Sequence, residues 1–478
     1  ALFTPTTEYK KLSHALSGKG ACALFGLPAS GRAQVYAALC RQLDKPLCIV
    51  TPGEAEATRF AADLNTLGIP AAVFPARDYV LRPIEGTARE YEYRRLAVLG
   101  ELVGGRLCAV AVPAEALTQF TTPKEDFCAN TRTLHAGDTL LRDDLLAALF
   151  GAGYTRRAQV DGPGQFSVRG DIVDIFAPDQ KMPVRMEFWG DEIDTLHTFD
   201  LTTQRREDAI DKFYLSPARE VLFGKPADAA EQLRAFLAKQ RGKKKTAMAD
   251  CMAADLDLLD GGAVPVNMDK YLAVRYPHPA TVLDYFDDPI LVAEEPASIR
   301  EADRATAYRR GEELKSLILD GVLCAGLDNL YADPSCLWSK TGHYRTICAE
   351  NFARSMPDQP LKDIINAPAH TLPAWNGEVA GLLEDLKPLC DAGYTVTLLA
   401  GTDRAAAGLA RDLRDKGILV TTDAAAAPAA GLVQVLAGHL SAGCEFPFAK
   451  YALLTGRAFG ETSSQKKKRK KAKDALNS

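Results

Sequence analysis

Over the first 128 residues, four short apolar runs alternate with helix-length segments, and this constrains the fold more than any other feature of the chain. The runs are "ACALF", "PLCIVT", "AAVFP" and "LCAVAV". None shows the polar alternation of a strand with one wet face, so each is expected to be buried on both sides. The segments "AQVYAALCRQL", "AEATRFAADLNTLG" and "EYEYRRLAVLGELVGG" between them read as helices. Buried strands joined by helices imply a parallel sheet covered on both faces.

The first strand runs into "GLPASGRA", Gly26 to Ala33, where a phosphate-binding loop would stand. The spacing from Gly26 to Gly31 is that of such a loop, but Arg32 and Ala33 replace Lys and Ser or Thr. A working loop uses the Lys ammonium on the β- and γ-phosphates and the hydroxyl on Mg²⁺. Arg32 keeps a charge on a longer, planar head, and Ala33 has no oxygen. The spacing therefore reads as a degenerate phosphate loop, an inert scaffold rather than a hydrolytic site. "ILVAEEP" supplies Glu294 and Glu295 at a strand end, in the position of the acidic partner of such a loop. Without a hydroxyl to complete the metal site, these read as solvated carboxylates.

From residue 129 the texture changes. One helix, "RDDLLAALFGAG", is followed by strands with two-residue alternation and by turn material such as "DGPGQ". Residues 129–215 read as a small antiparallel α+β insertion. Residues 216–345 return to mixed helix and strand, 366–460 form a separate small α/β unit, and 461–478 are a basic linker. Within the insertion, alternation puts Val184, Met186 and Phe188 on one strand face and Arg185, Glu187 and Trp189 on the other. Phe166 and Val168 likewise oppose Ser167 and Arg169. With the apolar faces inward, Arg169, Arg185 and Trp189 project outward, which reads either as a solvated face whose Trp partly covers a neighbouring loop or as a protein-binding hot spot. The carboxylates between these strands, Asp171, Asp174, Asp191, Glu192 and Asp194, read as turn and strand-end residues.

Composition excludes several functions. The net charge is −5, and "KKKRKKAKD" at 466–474 carries seven positive charges and one negative, so the remainder sums to −11. Nothing global points to nucleic acid. No apolar run reaches the roughly 18 residues of a membrane span, and the first residues lack a signal-peptide layout. The eleven cysteines show no C-x-x-C pair, and the seven histidines have no ligand spacing. They imply a reduced, cytosolic chain with no metal. Cys22, Cys48 and Cys108 are expected in buried strands. The missing initiator Met and linker-like end are expected of a fragment.

"FSVRGDIVDIFAP" followed by "MPVRMEFWGDEIDTLHTFDLTTQR" resembles the transcription-repair coupling factor (Mfd) family and, in a related version, UvrB. "YPHPATVLDYFDDPILVAEEPASIREA" and "LPAWNGEVAGLLEDLKPLCDAGYTVTLLAG" are similar to later stretches of the same family, and the basic tail to a linker within it. The resemblance implies a multidomain α/β chain. A RecA-like parallel α/β domain with a degenerate phosphate loop is interrupted by the insertion and followed by a small α/β domain. It implies that Arg169, Arg185 and Trp189 bind UvrA, the damage-recognition ATPase, and that this bacterial, cytoplasmic chain acts as a monomeric interaction module. RNA polymerase, double-stranded DNA, ATP and Mg²⁺ would belong to further domains of an ATP-dependent DNA translocase. Two other readings stand beside this one: a UvrB-like nucleotide-binding unit with residual ATPase, and a nucleic-acid binder working through the basic tail.

Overall fold

The structure is a computed structural model and describes residues 3–84, 89–351, 360–375 and 378–456. The basic segment 461–478 lies outside the described residues.

The early apolar runs form part of a seven-stranded parallel sheet. Its spatial order is Leu361–Asn366, Gly20–Phe25, Arg345–Glu350, Ile290–Glu294, Leu47–Thr51, Ala109–Pro113 and Ala71–Val73. Four of these strands precede the insertion and three follow it. Ile290–Glu294 slots beside Leu47–Thr51, so a single sheet is closed across some 240 residues of intervening chain. Both faces are covered. Leu47 and Ile49 join a core with Tyr36, Leu39 and Phe60 of the helices Ala29–Leu43 and Glu54–Thr66. Cys48 and Val50 join a second core with Leu96 and Leu99 of the helix Glu90–Val103. Two-sided burial is why these strands lack polar alternation. Cys22 and Cys48 are buried within strands, whereas Cys108 is exposed, one residue before the strand Ala109–Pro113.

The insertion is a six-stranded sheet in the order Arg206–Ala209, Glu192–Phe199, Val184–Trp189, Ile172–Phe176, Gln165–Arg169 and Thr155–Arg156. Neighbours are antiparallel except the last pair. The helix Arg142–Gly151 covers one face, placing Leu145 and Leu149 against Val173, Ile175, Val184 and Met186. A two-stranded ribbon, Arg132–His135 with Lys212–Leu215, closes the neck.

Past the insertion the chain is more helical than its sequence suggests. The helices Pro226–Ala238 and Gly242–Asp260 pack around Leu233, Met248, Met252 and Tyr271 as a core of their own. The surface run at Lys243–Lys245 starts the second of them. The last unit is a six-stranded sheet in the order His370–Leu372, Gly443–Phe446, Tyr451–Thr455, Thr395–Leu399, Val433–Leu436 and Val420–Thr421. It is covered by the helices Val379–Asp391 and Asp403–Asp415. Thr402 caps the latter by accepting from the Ala405 N–H, and Gly417 at φ +80° ends it. No helix among the described residues is long and apolar enough to cross a membrane.

Candidate functional site

Two hairpins present the outer face of the insertion. Each closes on a Gly-Asp pair, Gly170-Asp171 and Gly190-Asp191, with glycine at φ +59° and +62°. A left-handed glycine at the first turn position followed by an ordinary residue suits a two-residue hairpin. The turns lie side by side at one end of the sheet, where the Phe188 N–H donates to the Asp171 carbonyl at 2.9 Å. Arg169 and Trp189 are the last strand residues before their turns.

The register puts Ser167, Asp174, Arg185 and His197 in one cross-strand row and Arg169, Ile172, Glu187 and Thr195 in the next. Trp189 follows Glu187 on the same face, so Arg169, Arg185 and Trp189 share the face opposite Met186 and Phe188. Their surroundings differ. Trp189 is 82 % exposed. The Arg169 side chain is 46 % exposed, and its Nη2 donates to Asp174 at 2.6 Å. The Arg185 side chain is only 11 % exposed. Its Nε and Nη2 donate to the two Asp174 oxygens at 2.7 and 2.9 Å, its Nη1 to the Gln204 carbonyl at 3.2 Å, and its guanidinium lies over the Phe199 ring. Arg185 thus occupies the outer face without projecting from it, because the Asp200–Gln204 turn folds over it.

Asp174 organises this arrangement. It stands mid-strand, 1 % exposed, and its carboxylate gathers both arginines. It is neither a turn nor a strand-end residue. The available signal was phase: Asp174 alternates with Val173 and Ile175, so it had to meet whatever the neighbouring strands put on the outer face. A second feature not legible locally is a buried ion network at the insertion's return to the main domain. Arg95 donates to both oxygens of Glu220 at 2.6 and 3.1 Å, Arg77 pairs with Asp269 at 2.7 Å, and the Glu220 N–H donates to Glu92 at 3.0 Å. It ties three distant chain segments together. Burial alone would raise the Glu92 pKa, but Arg77, Arg219 and Arg89 outweigh it and push it down to about 2.

The loop Gly26–Arg32 turns from the first strand into the helix Ala29–Leu43. Arg32 bends back into it. Its Nη1 donates to the Leu27 carbonyl and to Asn351 Oδ1, both at 3.1 Å, and its Nη2 meets Glu294 at 2.8 Å and Glu295 at 3.2 Å. Tyr36 donates to the other Glu294 oxygen at 2.5 Å. Glu294 is therefore buried against Arg32 rather than solvated, while Glu295 is partly exposed. Burial raises the Glu294 pKa against the pull of Arg32 and Tyr36. Burial would lower that of Arg32, but Glu294, Tyr36 and Glu295 together outweigh it and the net shift is upward. Ala33 is fully buried. Gly31 faces the last unit: a Cβ there would stand 2.9 Å from Cys444 Sγ and 3.4 Å from the Phe446 ring. Leu27, Ala33, Cys444 and Phe446 belong to one core. Position 33 offers Mg²⁺ no oxygen, Arg32 is spent on the acidic strand end, and the outer side of Gly31 is covered. Among the described residues, no group of three or more His, Cys, Asp or Glu could hold a metal ion.

Residues 133–221 match the family described as the UvrB interaction domain. This span encloses the six-stranded sheet, its covering helix and Glu220. Along nearly its whole length the chain is also similar to transcription-repair-coupling factors. The relative from Bacillus subtilis (strain 168) is 25% identical over 467 residues, 94% of this chain and 39% of that protein. The relative from Staphylococcus haemolyticus (strain JCSC1435) is 25% identical over 465 residues, with 95% and 39% covered. The chain spans about two fifths of the length of the relatives it matches.

Proposed function

We propose that this chain is the recruiting module of a transcription-repair-coupling factor. It docks UvrA of nucleotide excision repair through the outer face of the insertion and hydrolyses no nucleotide itself. The observation that carries the reading is Trp189, a large ring left 82 % exposed on the same sheet face as a half-exposed Arg169, inside a UvrB interaction domain. An exposed indole supplies apolar area at low entropy cost, and a guanidinium on the same face can take a partner carboxylate in two parallel hydrogen bonds. Asp174 and Arg185 act behind them by fixing the sheet and the Arg169 head. In the whole protein this module would bring UvrA to a stalled RNA polymerase, and translocation on DNA would be the work of other domains.

The rival reading, a nucleotide-binding unit with residual ATPase, has against it the Arg32–Glu294 pair and the hydroxyl missing at Ala33. The test is UvrA binding to the full chain by calorimetry. Truncating a central anchor costs on the order of 2 kcal/mol, about 30-fold in affinity. Trp189→Ala is therefore expected to weaken UvrA at least tenfold with unfolding unchanged. Undiminished binding would refute the docking face.

A further inference from the structure

A cleft of about 750 Å³ lies where the insertion meets the parallel-sheet domain. Arg89, Arg156, Arg157 and Arg219 line it, and none of the described lining residues is Asp or Glu. In a chain with net charge −5 this is a local reversal of sign. Two of the four arginines are committed. Arg89 pairs with Glu92 at 2.8 Å, and Arg219 donates to the Tyr93 hydroxyl at 3.1 Å. The side chains of Arg156 and Arg157 are exposed and make no ion pair or hydrogen bond among the described residues. Their backbone is nevertheless fixed: Thr155–Arg156 pairs with Gln165–Phe166, and the Arg157 N–H donates to the Phe166 carbonyl at 2.8 Å.

The walls add two half-buried rings, Tyr93 and Phe150. The turn Gly162–Gly164 closes over Tyr93. Gly164 has φ +74°, and a Cβ there would stand 2.8 Å from the tyrosine oxygen, so both the turn and the close approach require glycine. Free guanidiniums on a held backbone, beside two half-buried rings and with no carboxylate among the described lining residues, form a surface for phosphates next to flat bases. We propose that this cleft binds an unpaired nucleic-acid strand, with successive phosphates on Arg156 and Arg157 and a base against Tyr93 or Phe150. An acidic peptide would satisfy the arginines and leave the rings unused. A mononucleotide would engage both arginines less completely than adjacent phosphates of a strand. The site is separate from Trp189 and does not depend on UvrA docking there.

The test is fluorescence anisotropy of the full chain with a labelled oligothymidylate of about 12 nucleotides, with labelled oligoglutamate and labelled ATP as parallel probes, between about 50 and 200 mM salt. The doubly substituted Arg156→Glu/Arg157→Glu chain is expected to bind the oligonucleotide at least tenfold more weakly. Its salt dependence should be shallower by about 1.4 in slope, roughly 0.7 for each phosphate that is no longer neutralised. The basic segment 466–474 is present in both proteins, so the difference reports the cleft. Retained UvrA binding by the variant would show that the insertion is folded. An unchanged oligonucleotide affinity and slope would overturn the proposal. So would oligoglutamate binding that the variant loses while oligonucleotide binding stays, or ATP binding as tight as that of the strand.

Discussion

Arg185→Ala separates a residue that touches a partner from one that holds the docking face. The substitution removes two of the three hydrogen bonds that arginines donate to Asp174 and leaves Oδ1 of a 1 % exposed carboxylate without its guanidinium. Stripping one partner from a fully isolated buried charge pair costs about 3–5 kcal/mol. Here Arg169 still holds Oδ2, so the lower figure for an unsatisfied buried group, about 1–3 kcal/mol, applies. Removing the guanidinium from above the Phe199 ring adds about 0.5–1 kcal/mol. A total of about 1.5–4 kcal/mol corresponds to at least roughly tenfold, and centrally about 100-fold, faster amide exchange in Ile172–Phe176 and Val184–Trp189, read by mass spectrometry. Trp189→Ala should leave that exchange unchanged and lose UvrA. Arg185→Ala should accelerate it and weaken UvrA through the displaced Arg169. The pair Arg185→Ala/Asp174→Ala removes both charges and should recover much of the protection. If Arg185→Ala leaves exchange at the wild-type rate yet abolishes UvrA binding, Arg185 touches the partner directly and the positioning role is wrong.

Calorimetry with Mg-ATP should show no binding tighter than millimolar and phosphate release no hydrolysis; micromolar binding would sink the inert-loop reading. Gly31→Val should push Cys444 and Phe446 off the helix Ala29–Leu43, detected as alkylation of a Cys444 thiol that is buried in the wild type; an unreactive Cys444 would mean the two units do not meet there. Glu92 is held near pH 2 when folded against an ordinary 4.5, so its stabilising contribution is complete above about 4.5 and is lost as pH falls toward 2. That loss is on the order of 3 kcal/mol, and Glu92→Gln should flatten this acid limb of the unfolding midpoint; an unaltered limb would show that other carboxylates govern it.

What was legible in the sequence was what local pattern decides. Continuous apolar runs announced Leu47–Thr51 and Ala109–Pro113 as strands buried on both faces, because burial on both sides removes any need for a polar phase. Two-residue alternation assigned Met186 and Trp189 to opposite faces of one strand for the same physical reason. Pairings across long separations were not legible. Asp174 looked like one more acidic residue near a turn until register placed it opposite Arg185. Glu220, Arg95 and Arg77 are ordinary surface types by composition, and only the return of the insertion makes them a buried network. Glu294 and Glu295 were expected in solvent because no local rule says that Arg32 turns back onto them. The helices Pro226–Ala238 and Gly242–Asp260 were obscured by the charged run Lys243–Lys245, which the second helix carries on its exposed first turn.

Gly26 and Gly31 each have a structural reason that needs no phosphate. Gly26 stands at φ +85° with its missing Cβ 3.1 Å from the Ala367 carbonyl oxygen, so a side chain would be strained by conformation and by backbone crowding together. Gly31 has ordinary helical geometry and needs no special φ, so only space explains it. That space is filled by Cys444 and Phe446, in a core shared with Leu27 and Ala33. The close backbone approach that a phosphate loop offers to a ligand is used here to seat a strand of the last unit. Arg32 meanwhile compensates the carboxylate that a metal would otherwise face. An unpaired buried Glu294 would cost several kcal/mol, and the Arg32 ion pair with the Tyr36 hydrogen bond offsets part of that penalty without a ligand. Lys and Thr at positions 32 and 33 are therefore not expected to create a nucleotide site, since Cys444 and Phe446 would still pack against Gly31. The loop Gly26–Arg32 thus carries a packing contact with the last unit.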